Sequence, residues 1–98
     1  MLDFYLIPDI QPTPGSPGSL EQAGELDSRT FGLLKEKKII PPQYDYYTDF
    51  RWNNTLIQQL ENTILMKPAL QADTDVQQLL LLLRAAREKQ SGLIAYAD

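Results

Sequence analysis

A proline- and glycine-rich segment near the start of the chain restricts the fold more than any other feature. Residues 8–19 have the sequence PDIQPTPGSPGS, which holds four of the seven prolines and two of the five glycines. Proline lacks the backbone N–H and has a fixed φ, so neither a helix interior nor a central strand accommodates this composition. We therefore predict an extended loop over residues 8–26, which is either a solvated tether or a functional segment.

Short apolar segments near the two ends of the chain predict β-strands. Leu2–Ile7 contains aromatic and branched residues and stops at Pro8, and Leu93–Tyr96 has a similar character. Because an isolated strand leaves its backbone groups without partners, we expect the two to pair in a two-stranded ribbon. The direction of this pairing is left open by the sequence.

Three helices are predicted between these strands. Ser28–Lys37 follows a capping residue, Asp27 or Ser28. Asn54–Met66 has apolar residues at helical spacing, with Asn53 or Asn54 as its cap. A third helix begins near Thr74, which forms a predicted capping box with Gln77, and Gly92 is its predicted C′ residue. The predicted fold class is mainly α (α+β). It consists of one domain over residues 1–98, with a three-helix core packed on the terminal ribbon.

The third helix is apolar on more than one side. Its main stripe lies within about 120° of the helical wheel, whereas Leu81 and Ala85 project to the opposite side. The stripe consists of Val76, Leu79, Leu80, Leu83 and Ala86. An apolar side of a helix is normally buried against another element. We therefore expect either the loop at residues 8–26 or a second copy of the chain to pack over Leu81. Leu81 and Ala85 are thus candidate self-association residues.

The composition argues against several classes of function. The chain has no cysteine and no histidine, which removes thiolate metal sites, Cys/His and Ser/His/Asp catalysis, and the commonest zinc ligand. Its net charge of −4 argues against nucleic acid as a partner, and residues 1–30 carry five acidic side chains against one arginine. No apolar run approaches the ~20 residues of a membrane span, and the start lacks the basic region of a secretory signal. We expect a cytoplasmic protein that is not an enzyme, binds no cofactor or metal, and contacts no membrane.

The segment from Tyr44 to Trp52, with the sequence YDYYTDFRW, combines aromatic and acidic residues. Tyrosine, tryptophan and arginine dominate interface hot spots because they bury a large area with few torsions and end in a polar group. We expect Phe50 and Trp52 to point inward, and the alternative is that the whole aromatic cluster serves the core. The candidate partner-binding residues are Tyr44, Asp45, Tyr46, Tyr47, Asp49 and Trp52.

Two segments carry a resemblance to known proteins. Asp3–Asp9 (DFYLIPD) together with Asp45–Trp52 (DYYTDFRW) resembles small bacterial proteins of unknown function, which implies no activity. The pattern Asp45-Tyr46-Tyr47-x-Asp49 is also similar in type to the tyrosine pair that immunity proteins of nuclease bacteriocins present to a basic toxin. The proline-rich front and the terminal strands depart from that family.

These observations favour a small protein-binding module that occupies a basic protein partner, in the manner of an immunity protein or an antitoxin. The localised negative charge and the tyrosine pair are its basis. The alternative hypothesis is a structural or self-assembling protein without catalytic activity, in which Leu81 and the terminal strands form a homodimer.

Overall fold

The structure, a computed structural model, describes residues 1–97. In this part of the chain, four β-strands and three α-helices form an α+β fold, with a short 3₁₀-helix at Pro68–Ala72. In chain order the elements are β1 (Leu2–Ile7), β2 (Gln22–Leu26), α1 (Ser28–Glu36), β3 (Phe50–Trp52), α2 (Asn54–Leu65), α3 (Thr74–Glu88) and β4 (Gly92–Ala97).

The strands form one antiparallel sheet in the order β2-β1-β4-β3. The terminal strands do pair, with a register that runs from Leu2 opposite Ala97 to Ile7 opposite Gly92. However, the predicted two-stranded ribbon and the mainly α class are wrong. The terminal strands are the centre of a four-stranded sheet, because β2 adds to one side of the pair and β3 to the other.

Strand β2 occupies residues 22–26 of the segment predicted to be a loop, so the connection itself spans residues 8–21. Its sequence, QAGEL, has no β-branched or aromatic residue, and it is a strand because β1 pairs with it. Gly24 lets α3 approach closely, since a Cβ there would lie 2.8 Å from Leu82 Cδ2. Leu82 is buried, and β2 therefore covers a side of α3 outside the predicted stripe.

The helices pack on one face of the sheet. Alternation along the strands places Phe4, Ala95 and Trp52 on this face, and all three belong to the main hydrophobic core. The opposite face carries Ile7 and Ile94, which are also buried but lie outside that core. The sheet therefore has a second covered face, which no helix covers.

Helices α1 and α2 confirm their predicted bounds to within one residue. Asp27 accepts a hydrogen bond from the amide of Thr30, and Asn53 accepts one from Leu56, so both predicted caps are present. The Asp27 contact lowers the pKa of that carboxyl below its ordinary value.

The predicted start of α3 near Thr74 is confirmed, but its predicted capping box and its predicted C′ residue are wrong. The helix begins at Thr74 without a side-chain cap, and the side chain of Gln77 donates to the carbonyl of Gln71 instead of completing a capping box. At the other end the left-handed residue is Gln90, with φ of 52°, while Gly92 already belongs to β4. The amide of Ser91 closes this turn on the carbonyl of Ala86.

Ion pairs at two places tie the helices together. The Lys37 ammonium lies 2.7 Å from a carboxylate oxygen of Asp75 and 2.9 Å from one of Asp73, which links the end of α1 to the start of α3. These two carboxylates raise the pKa of Lys37. Between α2 and α3, Arg87 pairs with Glu61, whose side chain is 7% exposed. Glu61 is thus a buried charge whose partner reaches it from the surface.

Candidate functional site

The segment from Tyr44 to Asp49, which we call the aromatic–acidic turn, connects the end of the α1 region to β3. The amide of Tyr44 donates to the carbonyl of Pro41, and that of Thr48 donates to the carbonyl of Asp45. The Asp45 carboxylate also accepts from the amide of Tyr47 at 2.9 Å, and the Thr48 hydroxyl donates to the Asp45 carbonyl at 3.1 Å. Local hydrogen bonds of this kind hold the turn in one conformation.

Tyr47 is the most exposed aromatic side chain of the turn, with 76% of its surface accessible. Its ring stands perpendicular to that of Tyr46, with the centroids 5.1 Å apart. Tyr46 is half-buried, and its ring lies 5.9 Å from that of Phe31 in the core. The exposed ring is therefore supported from the core through a second aromatic ring.

The two aspartates of the turn are exposed, and each also accepts a hydrogen bond that supports the local structure. Asp45 holds the amide of Tyr47, and Asp49 accepts a hydrogen bond of 2.8 Å from the amide of Ala97. Asp49 directly precedes β3. Its carboxylate therefore binds the backbone of β4 at a point that the backbone of β3 does not reach. Both carboxylates still place negative charge beside Tyr46 and Tyr47.

The remaining predicted contact residues lie behind this surface. Trp52 is 1% exposed and belongs to the core, so its inward orientation agrees with the sequence and it reaches no partner. Its indole N–H has no hydrogen-bond acceptor within residues 1–97. Tyr44 is half-buried, and its ring lies 5.0 Å from Phe50 and 5.8 Å from Trp52. The part of the turn that solvent reaches is thus formed by Asp45, Tyr46, Tyr47 and Asp49.

The predicted self-association residues lie on α3, away from the turn. Leu81 is 69% exposed, whereas Ala85 is half-buried and packs against the core. Leu81 and Leu80 help to line a groove of about 360 Å³ whose other walls are Gln71, Gln77 and Arg84. The front loop does not cover Leu81, because it lies on the other side of the sheet.

That loop, residues 8–21, forms a strap over the helix-free face of the sheet. Arg51 of β3 donates to the carbonyls of Pro8 and Gln11, at 3.0 and 2.7 Å, and to the Thr13 hydroxyl at 3.1 Å. The Tyr96 hydroxyl of β4 donates to the Pro14 carbonyl at 3.0 Å. The strap is therefore anchored to the sheet by side-chain hydrogen bonds, although most of its residues are exposed.

The strap has a further contact where it begins. The Asp9 carboxylate accepts from the amide of Asn54, in the first turn of α2, at 3.1 and 3.2 Å. A carboxylate is stabilising at this end of a helix. Sequence reasoning did not single out Arg51 and Tyr96 as anchors, because they lie about 40 and 80 residues from their acceptors and no local pattern connects them.

Comparison with known proteins assigns no family. No family model matches the chain, and no curated protein or solved structure matches it. Across residues 1–97, no helix has the length and apolar character that crossing a membrane requires. The same residues contain no group of three or more acidic side chains placed to hold a metal ion.

Proposed function

We propose that this chain is a protein-binding module that presents Tyr46, Tyr47, Asp45 and Asp49 to a basic protein partner. The exposure of Tyr47 is the observation that carries the proposal. A tyrosine ring that is three-quarters exposed, yet fixed against a second ring, presents a rigid aromatic surface of the kind that dominates interface hot spots.

Preorganisation supports this proposal. Binding loses less free energy to ordering when the contact residues are already held in place. The turn is closed by the bonds from Tyr47 and Thr48 to Asp45, and Tyr46 rests against Phe31. A partner would therefore meet a surface that needs little rearrangement.

The charge supports a basic partner. The chain carries a net charge of −4, and Asp45 and Asp49 flank the tyrosine pair. Such an arrangement steers a positively charged protein toward the turn and makes association sensitive to salt. The function that fits this chemistry is inhibition of a basic protein, as in immunity proteins and antitoxins, with the aromatic–acidic turn in place of the tyrosine pair of those inhibitors.

The test is a comparison of three immobilised proteins exposed to a lysate of the native host: wild type, Tyr46→Ala/Tyr47→Ala and Met66→Ala. Met66 is 82% exposed at the end of α2 and serves as the matched control for loss of an exposed apolar side chain. We expect a basic protein to be retained by wild type and by Met66→Ala, and to be lost from the double variant. Equal retention by all three folded proteins would contradict the proposal.

Self-association is the second candidate function, and the exposure of Leu81 favours it. Leu81 projects from α3 beside a groove floored by Leu80, and it is the most exposed leucine in residues 1–97. If a second copy of the chain packed its α3 antiparallel on this groove, the Leu81 side chains of both copies would be buried. Sedimentation velocity of wild type and Leu81→Gln tests this: a dimer that the variant abolishes supports it, and a wild-type monomer at high concentration refutes it.

A further inference from the structure

The strap shows that one face of the sheet binds a proline-rich segment. We propose that the face formed by Arg51, Ile94 and Tyr96 is a docking groove for extended proline-rich peptides, and that the protein's own strap occupies it as an internal competitor. This groove lies on the helix-free face, and the proposal does not depend on the function proposed for the aromatic–acidic turn.

The donors of the groove match the acceptors of a polyproline-type segment. Proline has no N–H to offer, so such a segment is recognised through its carbonyl groups and its ring surfaces. Arg51 and Tyr96 supply only donors here, and they reach the carbonyls of Gln11 and Pro14. Those carbonyls are three residues apart, which is one turn of a polyproline II helix.

The sequence between these two carbonyls favours the extended conformation. Pro12 and Pro14 each have a fixed φ, and Thr13, the residue before a proline, is restricted to extended backbone. A segment of this kind loses little conformational entropy on docking. Before it, the amide of Gln11 donates to the carbonyl of Pro8, so a turn brings the chain from β1 onto the groove.

An apolar floor completes the groove. Ile94 is 2% exposed and lies outside the main core, so its burial comes from this face. Tyr96 adds aromatic surface beside it, in the manner of the aromatic-lined grooves that bind proline-rich segments. The groove thus combines an apolar floor with two carbonyl-directed donors.

The strap fills this groove incompletely. A cleft of about 340 Å³ remains between residues 13–15 of the strap and the residues beneath them, among them Asp49, Ile94 and Tyr96. Gly15 offers no side chain, and a Cβ at that position would meet no atom within 4 Å. A foreign segment with a larger residue at this position would therefore have room to bind.

The occupant that fits these observations is an extended proline-rich segment of another protein. It must displace the strap, whose local concentration is in the millimolar range for a tethered segment of this length. Wild type should therefore bind such a peptide weakly, and a protein with a loosened strap should bind it more tightly.

The experiment uses the peptide PDIQPTPGSPGS, labelled with a fluorophore, and a full-length variant with Pro12→Gly and Pro14→Gly. Fluorescence polarisation should give at least tenfold tighter binding to this variant than to wild type, and Tyr96→Phe in the variant should weaken it. A control peptide with its four prolines replaced by alanine should not bind. If the folded variant binds neither peptide at millimolar concentration, or binds both equally, the proposal is wrong.

A second measurement covers the case in which the loosened strap prevents folding. Wild type labelled with ¹⁵N is titrated with the same peptide, and the backbone amides of Arg51, Ile94 and Tyr96 are followed by NMR. Docking in the groove predicts selective shifts of these amides, and no shift for Tyr47, which lies outside the cleft. Absence of shifts at a large excess of peptide would refute the groove.

Discussion

Replacement of Gly92 by alanine should destabilise the fold strongly, although the φ of this glycine is one that any residue adopts. The reason is the close approach of β3 to the start of β4. A Cβ on Gly92 would lie 2.3 Å from the carbonyl oxygen of Trp52, 2.9 Å from Asp9 Oδ1 and 3.3 Å from Asn53 Cα. The nearest of these atoms belongs to the backbone, so no side-chain rotation relieves the contact.

The cost can be worked from what must move. Relief of the contact requires β3 to shift by about 1 Å, and overpacking of this kind typically costs about 1–3 kcal/mol. The shift also strains the pairing of Trp52 with Leu93, and each lost hydrogen bond adds about 1 kcal/mol. We expect a loss of roughly 3 kcal/mol in the free energy of unfolding, which lowers the melting temperature by roughly 12–24 °C for a domain of this size.

Urea unfolding is the assay, followed by the fluorescence of Trp52, the only tryptophan, and by circular dichroism. Two glycines provide matched controls, since a Cβ at Gly15 or at Gly32 would meet nothing within 4 Å. Gly32→Ala lies inside α1 and should stabilise by about 0.5–1 kcal/mol, and Gly15→Ala should change little. A Gly92→Ala protein within about 0.5 kcal/mol of wild type would refute the argument.

Three further predictions follow from side-chain contacts. Arg87→Ala should cost roughly 2 kcal/mol in urea unfolding, because it strands the buried Glu61 carboxylate, and Glu61→Gln in that background should recover part of the loss. Burial, and then the nearby Asp49, raise the pKa of Tyr96, so its contribution to stability is complete below pH 10 and is lost as the pH rises through the folded-state pKa. Tyr96→Phe should therefore be about 1 kcal/mol less stable than wild type at neutral pH, with a difference that shrinks above pH 10. Asp45→Asn/Asp49→Asn keeps both side-chain acceptors, and stopped-flow binding should show slower, less salt-dependent association with the basic partner; an unchanged rate would contradict charge steering.

The helices and the central strands could be predicted because their signals are local. Asp27 and Asn53 mark helix starts through their own side chains, and the apolar spacing of α2 follows from its buried Ile57, Leu60 and Ile64. The pairing of the two terminal strands could be predicted because the backbone N–H and C=O groups of each strand need hydrogen-bond partners. These inferences require only the residues of the element itself.

The edge strands could not be predicted, since their stability comes from residues far along the chain. Gln22–Leu26 has weak strand propensity and forms β2 only because β1 offers a free edge and Leu82 packs over Gly24. Gly92 was misassigned for a similar reason. A glycine after a helix suggests a cap, but here it accommodates the backbone of Trp52, which is 40 residues away in the sequence.

The candidate site was predictable in composition but not in orientation. Tyrosine and aspartate in one short segment indicate a contact surface, and the structure exposes Asp45, Tyr47 and Asp49 while burying Trp52. Alternation along β3 explains the difference, because it turns Trp52 toward the helices and Arg51 toward the strap. No spacing pattern in the sequence predicts which face of the sheet the strap covers.

The two proposed binding surfaces meet at Asp49. Its carboxylate belongs to the aromatic–acidic turn, yet it also lines the cleft under the strap and contributes to the raised pKa of Tyr96. A basic partner that neutralises Asp49 would therefore change the electrostatic potential at the Tyr96 hydroxyl, which holds the strap. By linkage, peptide binding under the strap would in turn change the affinity of the turn for its basic partner. Asp45 lies outside that cleft. Comparison of Asp49→Asn with Asp45→Asn thus separates the charge of the turn from its coupling to the groove: only the former should change peptide binding under the strap.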